Sequence, residues 1–340
     1  MTDQQNTRIV LAARPTGKPT AAHFRLEQVP VASPAQGEVL LRNHLLSLDP
    51  YMRGRMDAGP SYAAPVPIDG VMDGRTVAQV LESRHPDFAV GQWVVAPGGW
   101  QTRVVVAGAQ LARKLDPDGP PLSTALGVFG MPGFTAYAGL REIGKPKPGE
   151  TLVVAAASGP VGATVGQLAK LQGARVVGIA GGETKRRYLE QIGLDAALDH
   201  RAPDFVEALA AAVPDGIDIY FENVGGAVFQ AVRPHLNNFA RIPVCGTVSN
   251  YNTRHELLAG PDQLPGFISQ VLRQRLTVRG FIQTDFAALF PEFERQMRRL
   301  LLAGQIHYRE DIVEGLAQAP QALIDLLDGK NFGKLLVKLD

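Results

Sequence analysis

The run at residues 151–170, TLVVAAASGPVGATVGQLAK, limits the fold more than any other stretch of the chain. An apolar strand enters a turn of small residues and then a helical repeat, and a second apolar strand, ARVVGIAGG, follows within about 30 residues, as a βαβ unit requires. Ala157, Gly159 and Gly162 take the three small-residue positions of a dinucleotide fingerprint. The first makes the tight turn, Gly159 lets the backbone approach a pyrophosphate, and Gly162 lets the helix seat closely on the strand. The free N–H groups and partial positive charge at the helix start then favour phosphate.

The same rhythm continues downstream. ETKRRYLEQIG and PEFERQMRRLLLAGQ read as helices, the second ending at Gly304, and DIYFENV, ARIPVCGTV and LTVRGFI read as strands. Residues 129–307 are therefore expected to form an α/β domain with a doubly wound parallel sheet. The first 125 or so residues differ. GEVLLRNHLLSLD, GRTVAQVLES, GQWVVAPGG and TRVVVAGAQLARKL are strand-like and are punctuated by PAQG, HPDFAVG and LDPDGPP. An all-β, barrel-like domain is expected over 1–128, completed by 308–340, whose final strand returns to it.

The end of the second βαβ strand selects between dinucleotides. An enzyme using NAD usually places an acid there for the ribose hydroxyls. Here Gly181 and Gly182 stand in that place and Lys185, Arg186 and Arg187 follow, which suits the 2′-phosphate of NADP(H). Glu183 is the one opposing charge nearby.

Composition removes other classes. Lys and Arg total 34 against 33 Asp and Glu, a formal charge of +1 with no arm of like charge, so nucleic acid is not expected as a partner. No apolar stretch approaches the roughly 20 residues of a membrane helix, and a cytoplasmic protein is expected. Cys245 is the only cysteine, and the seven histidines are scattered outside GHE or HExxH patterns, so no zinc site is expected.

SLDPYMRGRM, GMPGFTAYAGL, AAASGPVGATVGQLAK, ENVGG, CGTVSNYN and KNFGK resemble, over nearly the whole chain, the zinc-free medium-chain dehydrogenase/reductase family. That family includes prostaglandin and leukotriene reductases and plant alkenal double-bond reductases. DPYMRGRMDAGPSY and IPVCGTVSNYN are most similar to the bacterial NADPH-dependent curcumin reductases. The resemblance implies a GroES-like β-barrel domain, a Rossmann domain and a substrate cleft between them. It implies cofactor contacts from Gly159, Pro160, Val161, Gly162, Gly182, Lys185, His200, Asn223, Cys245, Gly246, Thr247, Ser249, Tyr251, Phe281, Ile282 and Asn331. At His200 the mammalian members carry Tyr. A homodimer that extends the Rossmann sheet is also implied, with ARIPVCGTV and LTVRGFI as the edge.

Without a Lewis acid to polarise a carbonyl, conjugate reduction is the expected chemistry. A hydride goes to the β-carbon of an enone or enal, charge gathers on the carbonyl oxygen, and a proton completes the α-carbon. The protein then needs a donor near that oxygen. Tyr251, just past the strand ARIPVCGTV, is the first candidate, since a phenol with pKa near 10 donates while neutral. By resemblance Tyr51 is the second catalytic candidate, and Tyr51, Arg53 and Tyr62 line the cleft with Tyr251 against the small-molecule substrate. Met131, Pro132 and Phe134 are expected to pack rather than to act. A quinone reductase of the same fold and a non-catalytic NADPH-binding protein are the alternatives. A short-chain reductase is not, because none of the seven tyrosines has Lys at the fourth following position.

Overall fold

The computed structural model describes residues 5–253 and 262–339. The chain divides into two compact units, Met1–Gly127 with Glu310–Asp340, and Val128–Arg309.

The first unit opens with β1 (Gln5–Leu11) and β2 (Phe24–Pro30), paired antiparallel. Then come β3 (Glu38–Ser47), a short helix α1 (Tyr51–Arg55), β4 (Thr76–Ser83), β5 (Trp93–Ala96), β6 (Arg103–Ala107) and β7 (Arg113–Leu115). β3 is the hub. One edge pairs β4 throughout, while the other is shared by β6 over residues 38–42 and by the last strand of the chain over 45–47. Val39 and Leu41 alternate inward, the period-2 pattern that identified the strand. Within DPYMRGR the chain forms helix α1, which buries Met52 and places buried Met56 at its C-cap.

The second unit holds α2 (Met131–Gly139), β8 (Thr151–Val154), α3 (Pro160–Leu171), β9 (Arg175–Ala180), α4 (Glu183–Gln191) and β10 (Ala196–Asp199). It continues with α5 (Phe205–Ala212), β11 (Ile217–Phe221), α6 (Gly226–Val232), β12 (Leu236–Val244), α7 (Leu264–Gln274), β13 (Thr277–Gly280) and α8 (Phe290–Leu302). Among the described residues its sheet has six strands in the order β10-β9-β8-β11-β12-β13. Every neighbouring pair is parallel.

Both faces of this sheet are covered, which explains the unbroken apolar runs. In β8, Leu152 and Val154 join one core and Val153 the other; in β9, Val176 and Ala180 face one core and Val177 and Ile179 the other. Phe134 of α2 packs its ring 5.1 Å from Phe290 and 5.4 Å from Phe293, so the GMPGF segment is core. α8 closes at Ala303, with Gly304 left-handed at φ 65°.

The chain then returns to the first unit through β14 (Glu310–Glu314), α9 (Ala319–Leu327) and β15 (Lys334–Lys338). β15 runs antiparallel to β3 and parallel to β14. Among the described residues no helix is long and apolar enough to cross a membrane.

Candidate functional site

The strand order reverses between β8 and β11: the chain builds outward from β8 through β9 to β10, then restarts at β11 and proceeds the other way. Such a reversal opens a crevice at the carboxyl ends of the strands, where open α/β sheets bind ligands.

The turn after β8 is built from small residues because larger ones do not fit. A Cβ at Gly162 would stand 2.5 Å from Ala156 O and 2.7 Å from Ala157 Cα, so α3 seats directly on the turn. Gly159 meets only Ala156 O, at 3.3 Å. It is the N-cap of α3, and Pro160 occupies the first helical position, where its missing N–H costs nothing. One detail differs from the fingerprint reading: the left-handed residue of the turn is Ala156, at φ 49°, rather than Ala157. Ala157 N–H instead donates to Ile179 O at 2.9 Å, tying the turn to β9.

Across the reversal, Asn223 follows β11 and its amide Nδ2 donates to Ala155 O at 2.8 Å, bridging the two strand ends. Glu222, beside it, is a residue that reading the sequence missed although it opens the ENVGG motif. Its Oε1 accepts N–H from Val224 at 2.6 Å and Gly225 at 2.8 Å, shaping the turn. Burial raises its carboxyl pKa, against the opposing pull of those N–H donors.

The loop after β12 is braced on this turn. Cys245 and Gly246 N–H donate to Glu222 O, Val248 N–H to Asn223 O, and Ser249 N–H and Oγ both to Val224 O. Thr247 lies against Gly225. Tyr251 folds back over the loop: a Cβ at Gly246 would stand 3.1 Å from Tyr251 Oη and 3.5 Å from Asn223 O. The Cys245 thiol is pushed up to about 12 by burial and by the Glu222 carboxylate, so it is un-ionised at neutral pH.

At the outer end of the sheet, Lys185 lies in the first turn of α4 and Gly182, at φ 91°, caps that helix. Glu183, the opposing charge of the sequence reading, is absorbed locally. It accepts Arg186 Nε at 2.7 Å and Arg187 Nε at 2.8 Å, and those guanidinium groups hold its carboxyl down at about 2. Arg186 also pairs with Glu190. Arg186 and Arg187 thus have a carboxylate partner within their own helix. His200 follows β10, with Nε2 2.9 Å from the position of a Cβ on Gly181.

Phe281 sits with its side chain in the interior. Its ring packs edge-on to Phe221 at 6.2 Å and blocks any side chain at Gly139, so the ring belongs to the core, while its backbone N–H donates to Val244 O at the end of β12. Ile282 N–H is taken by Asp285 at 3.0 Å.

Tyr51, Arg53, Tyr62 and Asn331 belong to the first unit. Arg53, expected to contact substrate, is an internal strut. It is 2% exposed, its Nη1 pairs with Asp57 at 2.8 Å, and its Nη2 donates to Gly17 O. A guanidinium so enclosed satisfies its donors with the chain's own acceptors. Tyr51 is half-buried under the Arg55 guanidinium, and burial, then the Asp73 and Asp49 carboxylates, push its phenol well above the usual range. It stays a neutral donor. Tyr62 is exposed, and Asn331 Nδ2 donates to Gly333 O.

The DPYMRGR and KNFGK segments meet through a pair that reading the sequence passed over. Lys334 Nζ donates to Asp49 Oδ1 and to Leu48 O, each at 2.7 Å, and Ser47 Oγ donates to the other Asp49 oxygen. Both charged residues are buried. Their 285-residue separation left no local signal.

A family model described as the N-terminal domain of oxidoreductase matches residues 7–113, and one described as zinc-binding dehydrogenase matches residues 160–301. Among the described residues no group of three or more His, Cys, Asp or Glu could hold a metal ion. The chain is 56% identical to the NADPH-dependent curcumin reductase of Escherichia coli (strain K12), covering 99% of this chain and 97% of that one. It is 41% identical to prostaglandin reductase 1 of Oryctolagus cuniculus, covering 94% and 89%. A solved structure of CurA from Vibrio vulnificus in complex with NADPH is 53% identical, with a TM-score of 0.94 and coverage of 98% and 99%.

Proposed function

The chain belongs to the medium-chain dehydrogenase/reductase family, and from that premise we propose that it reduces the carbon-carbon double bond of α,β-unsaturated ketones and aldehydes with NADPH. Curcumin-type enones and 2-alkenals are the substrate class. The arrangement that carries the reading is Tyr251 Oη over Gly246, beside Asn223, at the crevice where the strand order reverses.

The residues present fit a dinucleotide. Gly159 leaves open space over the start of α3, and Lys185 and His200 gather cationic or protonatable groups beside Gly181 and Gly182. Gly159 to Gly162 would hold the pyrophosphate through backbone N–H groups. Asn223 and the 245–249 loop, braced on the backbone carbonyls of Glu222, Asn223 and Val224, would hold the nicotinamide end. When bound, NADPH supplies the hydride that adds to the β-carbon of the substrate. As that carbon is reduced, negative charge gathers on the carbonyl oxygen, and the Tyr251 hydroxyl stabilises it by donating a hydrogen bond. Tyr51 and Tyr62 stand as candidate substrate contacts.

A homodimer is part of the same reading. All four residues of β13, which among the described residues pairs only with β12, are exposed, as are Leu264, Ile268 and Leu272 of α7. An open strand edge beside an apolar helix face suits a second copy. We place the enzyme in the cytoplasm.

Oxidation of NADPH, and separately of NADH, with 2-alkenals, an aryl enone, curcumin and a simple quinone tests the proposal, with product mass measured. A gain of two hydrogens on the enones, with NADPH favoured, is expected. Turnover of the quinone alone, or of nothing, would overturn it.

A further inference from the structure

β9 and β10 run parallel with Ala180 opposite Asp199, so the residues leaving the two strands come out side by side. His200 N–H donates to Ala180 O at 3.0 Å and fixes this exit. Gly181 and Gly182 on one strand therefore face His200 and Arg201 on the other. A Cβ at Gly181 would stand 2.9 Å from Arg201 Nε and 3.1 Å from its Cζ, as well as 2.9 Å from His200 Nε2. The glycine leaves the room in which the guanidinium lies.

The neighbouring charges are arranged so that Arg201 keeps its own. Asp199, the nearest acid, is engaged with backbone: it accepts the N–H of Arg201 at 2.9 Å and that of Gly182. Glu183 is held by Arg186 and Arg187. The Arg201 side chain is exposed and has no salt-bridge partner among the described residues. The positive charge of Lys185 also reaches this corner, acting on His200.

We propose that Arg201 is a specificity-determining residue, the cation that recognises the 2′-phosphate of NADPH over the 2′-hydroxyl of NADH. This rests on the NADPH reading above. The end of the second βαβ strand is where the adenine ribose is held, and a phosphate there calls for a cationic donor in place of a carboxylate. A guanidinium stays charged at every working pH and offers a planar fork of N–H groups to phosphate oxygens. Lys185 provides a point charge on a flexible stem. Arg201 provides direction, because its backbone is tied to Asp199 and its guanidinium lies over Gly181.

Fluorescence titration of the whole chain with NADPH and with NADH, no substrate present, tests the assignment on Arg201→Gln, Arg201→Lys and Lys185→Gln. Loss of one charge-assisted contact is expected to weaken NADPH binding by roughly 10–100-fold in Arg201→Gln, with NADH changed by less than about 2-fold. Arg201→Lys should recover part of the loss. Unchanged NADPH affinity in Arg201→Gln, with the preference abolished in Lys185→Gln, overturns the Arg201 assignment and leaves the cofactor reading standing. An equal loss for NADPH and NADH in Arg201→Gln also overturns it. A parent chain that binds the two cofactors equally overturns the cofactor reading itself, and Arg201 with it.

Discussion

Gly159 and Gly162 sit three residues apart in one turn, and the proposed function gives them opposite duties that two substitutions can separate. In Gly162→Ala the new Cβ must retreat from 2.5 Å to the 3.4 Å of ordinary contact with Ala156 O, a shift of about 0.9 Å against backbone that no rotamer change can relieve. Overpacking of this kind costs about 1–3 kcal/mol. For domains of this size class that corresponds to a fall in Tm of roughly 2–12 °C. In Gly159→Ala the single contact, at 3.3 Å, is eased by a few tenths of an ångström, and its φ of −76° suits alanine. Stability should change by less than about 1 kcal/mol. On the proposed cofactor reading the added methyl enters the space of the pyrophosphate, so NADPH affinity should fall at least about tenfold, or roughly 1.4 kcal/mol. Calorimetric unfolding without cofactor and fluorescence titration with NADPH measure the two quantities separately. If Gly159→Ala binds NADPH within about threefold of the parent, or Gly162→Ala melts with it, the division of labour is refuted.

Four further outcomes are expected. Lys334→Met leaves the Asp49 carboxylate buried without its cation and should cost about 3–5 kcal/mol, while Lys334→Met with Asp49→Asn should recover much of it in a double-mutant cycle; equal losses in single and double variants would count against the ion pair. The His200 imidazole is held below its ordinary pKa, by burial first and then by the Arg201 charge. A bound phosphate favours the protonated ring, so the NADPH affinity ratio of the parent to His200→Gln should grow as pH falls from about 8 to about 6, and a flat ratio would remove His200 from the phosphate site. With its thiol pushed up to about 12, Cys245 should react with iodoacetamide far more slowly than free cysteine at about pH 8, and comparable rates would contradict the raised thiol pKa. Tyr251→Phe should lower kcat by roughly 10–100-fold, a larger effect than on NADPH affinity, measured by steady-state kinetics beside cofactor titration; an unchanged kcat would assign stabilisation of the oxygen elsewhere.

The elements that reading the sequence located share a property: their backbone geometry is decided within a few turns of their own position. Gly159, Pro160 and Gly162 follow from a strand, turn and helix that are consecutive in the chain. The core faces of β3, β8 and β9 follow from side-chain period and from which faces are covered. The scarcity of thiols follows from counting one cysteine.

Direction and partnership were decided by the tertiary structure. DPYMRGR reads the same whether Arg53 faces a ligand or the interior, and only the fold brings Gly17 O and Asp57 around it. GFI does not reveal that Phe281 turns onto Phe221, nor LDHR that Arg201 lies over Gly181 from the next strand. ETKRR displays three cations, and only packing shows that Glu183 takes two of them. Local sequence carries the backbone's preferences because those act between near neighbours. The partner of a charge is set by which distant strands come to lie side by side, as 285 residues of intervening chain between Asp49 and Lys334 make plain.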